Sequence, residues 1–179
     1  MFASLTEVHS FLGRVLLHAT IRQVHESQPI PCLLYLEGED EEKILENVHI
    51  VRRDPEGDQL WVGFSELVSA ANIKTRLPEI RDQLYDEISE CFNNARGKIL
   101  DIKDDDYLLR HDIDVILDES NPFDTYPDRF RFVLFVGYDS SLLTDPETSD
   151  HEDHLEQETS ALFEAFADDL QHQSPFAGL

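Results

Sequence analysis

Apolar residues at Val8, Phe11, Leu12, Val15, Leu16, Ala19 and Val24 recur three or four positions apart between Leu5 and His25. This spacing predicts an amphipathic helix with one buried stripe. Pro29 and Pro31 end the helix, and the short apolar run Cys32–Leu36 predicts a strand. Charges from Glu37 to Glu42 form a turn, Asn47–Val51 is a second strand, and Asp54-Pro-Glu-Gly-Asp is a strong turn sequence. Leu60–Phe64 is then a third strand, so the three make an antiparallel meander.

Ile73, Leu77, Ile80, Leu84, Ile88 and Cys91 carry helical spacing through a segment from Ala70 to Ala95, with Gly97 as its stop signal. Pro78 fits that helix only near its first turn or at a kink. Asp104–Leu117 predicts another helix, and Arg131–Val136 is the most strand-like run in the chain. Both faces of that run are apolar, which predicts a strand in the centre of the sheet. Thr144–Asp153 reads as a solvated acidic linker, and Leu155–Leu170, with Leu162, Phe163 and Phe166 on one stripe, as a terminal helix. The expected division is an α/β core over residues 1–143 and an acidic linker with a C-terminal helix over 144–179.

Composition narrows what such a domain can do. The 179 residues carry 14 Lys and Arg against 38 Asp and Glu, a formal charge of −24. Phosphate is repelled unless the few cations gather on one face. Arg14, Arg22, Arg52 and Arg53 form one small basic patch if the meander packs on the first helix, although surface Arg pairs are commonly just solvated. Beyond Arg131 there is no Lys or Arg. The acidity suits a partner with a basic groove, and it equally suits plain solubility.

Cys32 and Cys91 lie in apolar contexts and read as buried reduced thiols. The start of the chain has no basic leader region and no apolar run reaches membrane-spanning length, so a cytoplasmic protein is expected. There is no Gly-rich phosphate loop, no Gly-x-Ser-x-Gly elbow and no Cys/His nucleophile pairing, which sets aside NTP hydrolysis and acyl transfer. His151 and His154 have the spacing to share one helical turn among acids, as a transition-metal site requires, but a charge-rich hydrated segment is the plainer reading. His49, alternating with Val48 and Ile50, reads as structural.

Four local blocks, in order, are more specific. They are Gly13-Arg-Val-Leu-Leu-His-Ala-Thr-Ile-Arg-Gln-Val, Leu45-Glu-Asn-Val-His-Ile, Leu60-Trp-Val-Gly-Phe-Ser-Glu and Phe132-Val-Leu-Phe-Val-Gly-Tyr-Asp-Ser. Their order and spacing resemble the HamA family, the nuclease subunits of Hachiman anti-phage systems, over roughly residues 11 to 143. The resemblance implies a restriction-endonuclease-type core and metal-dependent DNA cleavage beside a helicase. It also implies that an upstream partner-contacting segment of the family is missing here.

In that family, carboxylates from the second and third strands hold Mg²⁺, and a Lys two residues after the third-strand acid acts on the phosphate. The resemblance maps the second-strand acid to Glu46. The third-strand acid is replaced by Phe64, the lysine by Glu66, and the helical acid after the first glycine by Arg14. An aromatic ring cannot coordinate a hard cation, and a carboxylate in place of an ammonium reverses the field at a scissile phosphate.

The expected fold class is therefore α+β: a restriction-endonuclease-like core of helix, three-stranded antiparallel meander, helix and central strand, with an acidic C-terminal helix or tail. The expected function is that of a catalytically inactive nuclease-fold subunit of a prokaryotic anti-phage complex. It needs no cofactor and binds a larger protein such as a helicase or ATPase, with direct DNA binding weak or dependent on that partner. One alternative is an active, divergent nuclease in which Glu46 and Glu66 hold Mg²⁺ and Lys74 supplies the migrated cation. Another is an acidic DNA mimic that blocks a nucleic-acid-binding protein.

Overall fold

The computed structural model describes residues 5–30, 34–37, 42–45, 47–53, 57–86, 88, 92–102, 113–122, 125–140, 142 and 150–173. Its elements are helix α1 (Leu5–Val24), strands β1 (Ser27–Pro29), β2 (Leu34–Glu37), β3 (Glu42–Leu45), β4 (Asn47–Val51) and β5 (Gln59–Ser69), helices α2 (Ile73–Asp86), α3 (Phe92–Ile102) and α4 (Asp114–Leu117), strand β6 (Phe130–Asp139) and helix α5 (His151–Gln173). The fold is α+β. Two compact units divide it: Met1–Glu66 with Tyr85–Val136, and Leu67–Leu84 with Gly137–Leu179.

The first unit is built on a four-stranded sheet in the order β1-β4-β5-β6. Antiparallel pairing sets Ser27 opposite Val51 and His49 opposite Trp61. The meander exists, but its first strand is β1 and not the Cys32–Leu36 run. Leu34–Glu37 pairs instead with Glu42–Leu45 in a separate two-stranded sheet. Pro29 lies in β1, at the edge of the sheet, where a missing N–H costs no ladder bond. At the β4–β5 turn Gly57 adopts φ 100°, a conformation that residues with a Cβ rarely take.

Alternation along the strands sorts the core into two layers. Val48, Ile50, Leu60 and Val62 pack with Ile99 of α3, Ile116 and Leu117 of α4, and Phe130 of β6, with Phe64 and Phe132 set against them. On the other face Val51, Trp61, Val133 and Phe135 meet Leu17 and Ile21 of α1. Both faces of β6 are thus covered, which is why its sequence is apolar throughout. The sheet order nevertheless places it at an edge among the described strands, not in the centre as its pattern suggested. Apolar faces report what lies above and below a strand, and say nothing of what lies beside it.

The predicted stripe of α1 is not the buried one. Gly13, Leu17 and Ile21 turn inward, while Val8, Phe11, Leu12, Val15, Leu16 and Val24 are exposed. The helix is apolar on more than one side, so periodicity alone could not choose the side that packs. Gly63 helps decide it. A Cβ there would lie 2.7 Å from Leu17 Cδ2 and 3.0 Å from Asn47 Cβ, so the bare backbone is what lets α1 settle on the sheet at Leu17. Gly63→Ala is expected to destabilise the protein by about 1–3 kcal/mol, as overpacking in a filled core does. Urea unfolding measures it, and an unchanged midpoint would mean that Leu17 swings aside freely.

Of the segment predicted as one helix from Ala70 to Ala95, the described residues form α2 and the start of α3, and residues 87 and 89–91 lie outside the described residues. Gly97, expected to stop it, sits inside α3, where its N–H donates to Glu119 Oε1 at 3.2 Å. A Cβ at Gly97 would fall 2.4 Å from that oxygen, so the glycine makes room for a carboxylate and does not end a helix. Of the predicted helix from Asp104 to Leu117 the described part is α4, and residues 103–112 lie outside the described residues.

The second unit contains α2 and α5. Ile73, Leu77 and Ile80 of α2 are buried, and so is Arg81, whose guanidinium bonds Asp82 and Asp169. Ser140 donates to Glu158 Oε2 at 2.7 Å, and the N–H of Ala70 to Asp139 Oδ1 at 2.6 Å. Helix α5 begins at His151, earlier than expected. Of the linker predicted at Thr144–Asp153, residues 144–149 lie outside the described residues.

Candidate functional site

Strand β5 carries the positions on which any nuclease chemistry would rest. Phe64 follows Leu60 and Val62 on one face and packs against the apolar cluster. Glu66 comes next in the same alternation and is half-buried. Arg14 is half-buried on α1, the helix that covers the opposite face. Lys74 is exposed on α2 in the second unit, where it lines a groove of about 490 Å³ with Leu77, Pro78, Leu162 and Phe166. Glu46 and Cys91 lie outside the described residues, as does Cys32.

A hard divalent cation needs several oxygen donors converging on one point. Among the described residues no group of three or more His, Cys, Asp or Glu side chains converges in that way. Of the two carboxylates that the family resemblance would assign to a cation, Glu46 lies outside the described residues and Glu66 is half-buried on β5. His151 and His154 fall in the first turn of α5, where His154 Nδ1 lies 2.8 Å from the carbonyl oxygen of Asp150, so that ring is engaged with the backbone of its own helix.

The α1 face of the sheet holds a polar constellation. His49 is fully buried, both of its ring nitrogens are without a hydrogen-bond partner, and its ring lies 5.0 Å from that of His18. Burial, and then the nearby His18 and Arg22, push its pKa down to about 4, so it is neutral at pH 7. His25 meets the edge of Trp61 at 4.5 Å, with Arg53 over the indole at 5.7 Å. Burial first, and the charge of Arg53 second, lower the His25 pKa. Trp61 Nε1 donates to Gln59 Oε1 at 3.0 Å.

The four arginines of the expected basic patch are each engaged. Arg22 donates to the Ser27 carbonyl, Arg52 pairs with Glu26 at 2.6 Å, Arg53 stacks on Trp61, and Arg14 also has a partner. Arg22 thereby ties α1 to β1, Arg52 holds the residue before β1, and Arg53 packs on β5. The His18 and His25 contacts are not among the expectations from the sequence. A signal for them exists, since Arg14, His18 and Arg22 recur four apart along α1 and His25 follows its end.

Residues 6–177 match the HamA family model, and the chain belongs to the HamA family. Over all 179 residues it is 73% identical to Anti-bacteriophage protein A of Escherichia coli (strain K12), and it spans 33% of the length of that relative. No solved structure matches it significantly. Among the described residues no helix is long and apolar enough to cross a membrane.

Proposed function

We propose that this chain is the HamA-family portion of an anti-phage defence protein, and that it acts by holding a larger protein partner, of helicase or ATPase type, without cutting nucleic acid itself. The observation that carries this reading is Phe64. At the β5 position where the family resemblance puts a metal-binding acid, its ring is packed on the apolar layer with Leu60 and Val62. Two features support the nuclease-type ancestry. The element order of helix, antiparallel strands, helices and a further strand beside β5 is compatible with a restriction-endonuclease-like core, and the family match spans nearly the whole chain. The defence role is supported by the 73% identity to an anti-bacteriophage protein. A charge of −24 opposes any unaided hold on phosphate.

Purified protein incubated with supercoiled plasmid and Mg²⁺ or Mn²⁺ is expected to leave the DNA intact. In cells challenged with phage, Glu46→Ala and Glu66→Ala are expected to leave plaque counts unchanged. Metal-dependent nicking that disappears in Glu46→Ala would overturn the non-catalytic reading and establish the divergent nuclease in its place.

A further inference from the structure

Helix α1 carries six of the seven large apolar side chains that stand exposed among the described residues. Val8, Phe11, Leu12, Val15 and Leu16 are between 41% and 61% exposed, and they lie opposite Gly13, Leu17 and Ile21, which hold the helix to the sheet. From Val8 to Leu16 they form one stripe, about 12 Å long at the helical rise. Contiguous exposed apolar stripes of this kind mark interaction surfaces. The stripe is also unusual in its charge. Within α1 the acid Glu7 stands against Arg14 and Arg22, while the chain as a whole carries −24.

Two considerations choose the occupant. A two-fold pairing of α1 with α1 of a second copy would bury one helix stripe per side, well short of the roughly 1,200 Å² of a stable association between separate chains. A cover joined to the domain by the same polypeptide needs no such area, because its effective concentration is high. The relative that matches the whole of this chain at 73% identity carries two thirds of its own length outside the match. That much further chain can supply such a cover.

We propose that the outward face of α1 is the seat for a helix of the further polypeptide carried by long HamA-family members, docked through an apolar stripe centred on Leu12 and Val15. The rim of the seat on one side is Arg14, His18 and Arg22, so the docked helix bears acidic or neutral residues along that edge. This inference is independent of whether the domain cuts DNA.

The test is a full-length chimera in which this chain replaces the matching third of the Escherichia coli relative, compared with the 179-residue chain alone. Leu12→Cys and Val24→Cys are introduced separately in both, and the rate of maleimide labelling is read against the parent background from Cys32 and Cys91. Val24 is 65% exposed and lies off the stripe. Labelling at Leu12→Cys is expected to be at least about tenfold slower in the chimera than in the short chain, while Val24→Cys labels equally in both. Equal rates at Leu12→Cys would overturn the proposal. So would protection in the short chain that rises with its concentration, since a second copy would then be the occupant. A chimera that unfolds, detected by circular dichroism, is replaced by His9→Cys in place of Leu12→Cys at the rim of the same stripe, judged by the same ratio.

Discussion

Arg96→Met is expected to remove about 3–5 kcal/mol of stability, a large share of the roughly 5–15 kcal/mol that domains possess. Arg96 is 3% exposed. Its Nε donates to the Ile116 carbonyl at 2.8 Å, and its Nη2 to those of Asp118 at 2.6 Å and Asn121 at 3.0 Å. The guanidinium also lies 5.8 Å from the centre of the Phe130 ring. One planar fork therefore satisfies the carbonyls that close α4 and the turn behind it, and binds that turn to α3. Burial lowers the pKa of Arg96, opposed by Glu119 and Asp118, but an arginine so placed stays charged. Methionine fills similar volume and offers no donor, so three carbonyl groups lose the bond from Arg96, and only that of Asp118 is seen to keep another, from the Asn121 N–H. Lysine is expected to rescue little, because a single ammonium cannot reach the three in the fork geometry. Urea unfolding of both variants measures the loss, and a change below about 1 kcal/mol would show that water replaces the fork.

The second large effect is in pH. His49 has a folded pKa of about 4, below its ordinary value of 6.5. Between those values the unfolded chain binds a proton that the folded chain refuses, so stability rises with pH across that window. The contribution is fully present above pH 6.5 and is lost as pH falls toward 4. From pH 7 to pH 4.5 the loss is about 2–3 kcal/mol. Carboxylates titrate in the same region, so the quantity to measure is the difference between the wild type and His49→Leu. Leucine removes the proton and also removes two buried nitrogens that have no partner. It is expected to match or exceed the wild type at pH 7, and its advantage is expected to grow by about 2–3 kcal/mol on acidification to pH 4.5. A difference that does not change with pH would show that His49 takes up its proton without cost in the folded state.

Much of the local structure was legible in the residues. The helix α1 ends at Val24 where the pattern weakens, β4 was expected at Asn47–Val51 as it stands, and the Asp54-Pro-Glu-Gly-Asp turn uses its glycine at positive φ. The strand expected at Leu60–Phe64 lies within β5. Membership of the HamA family was legible too, because four short blocks in fixed order are a property of the sequence alone. The run Cys32–Leu36 does hold a strand, at Leu34–Glu37, but its place in the meander is not legible because nothing in a short apolar run says which strand it will pair with. Gly97 was misread because a glycine that makes room for a distant carboxylate looks the same as one that ends a helix.

By itself, then, the amino-acid order determined most of the longer elements, the family and the charge of the chain. Tertiary structure alone decided which flank of α1 is inside, that β6 stands at the margin of the sheet, and that His49 is enclosed without a partner. The physical reason is that hydrophobic burial has no direction of its own. A side chain prefers to leave water, but the contact that receives it comes from residues far along the chain, as Gly63 does for Leu17 and as β6 does for Ile99. The same reasoning applies to the outward stripe of α1, whose residues state a preference for cover and leave the identity of the cover to the assembled protein.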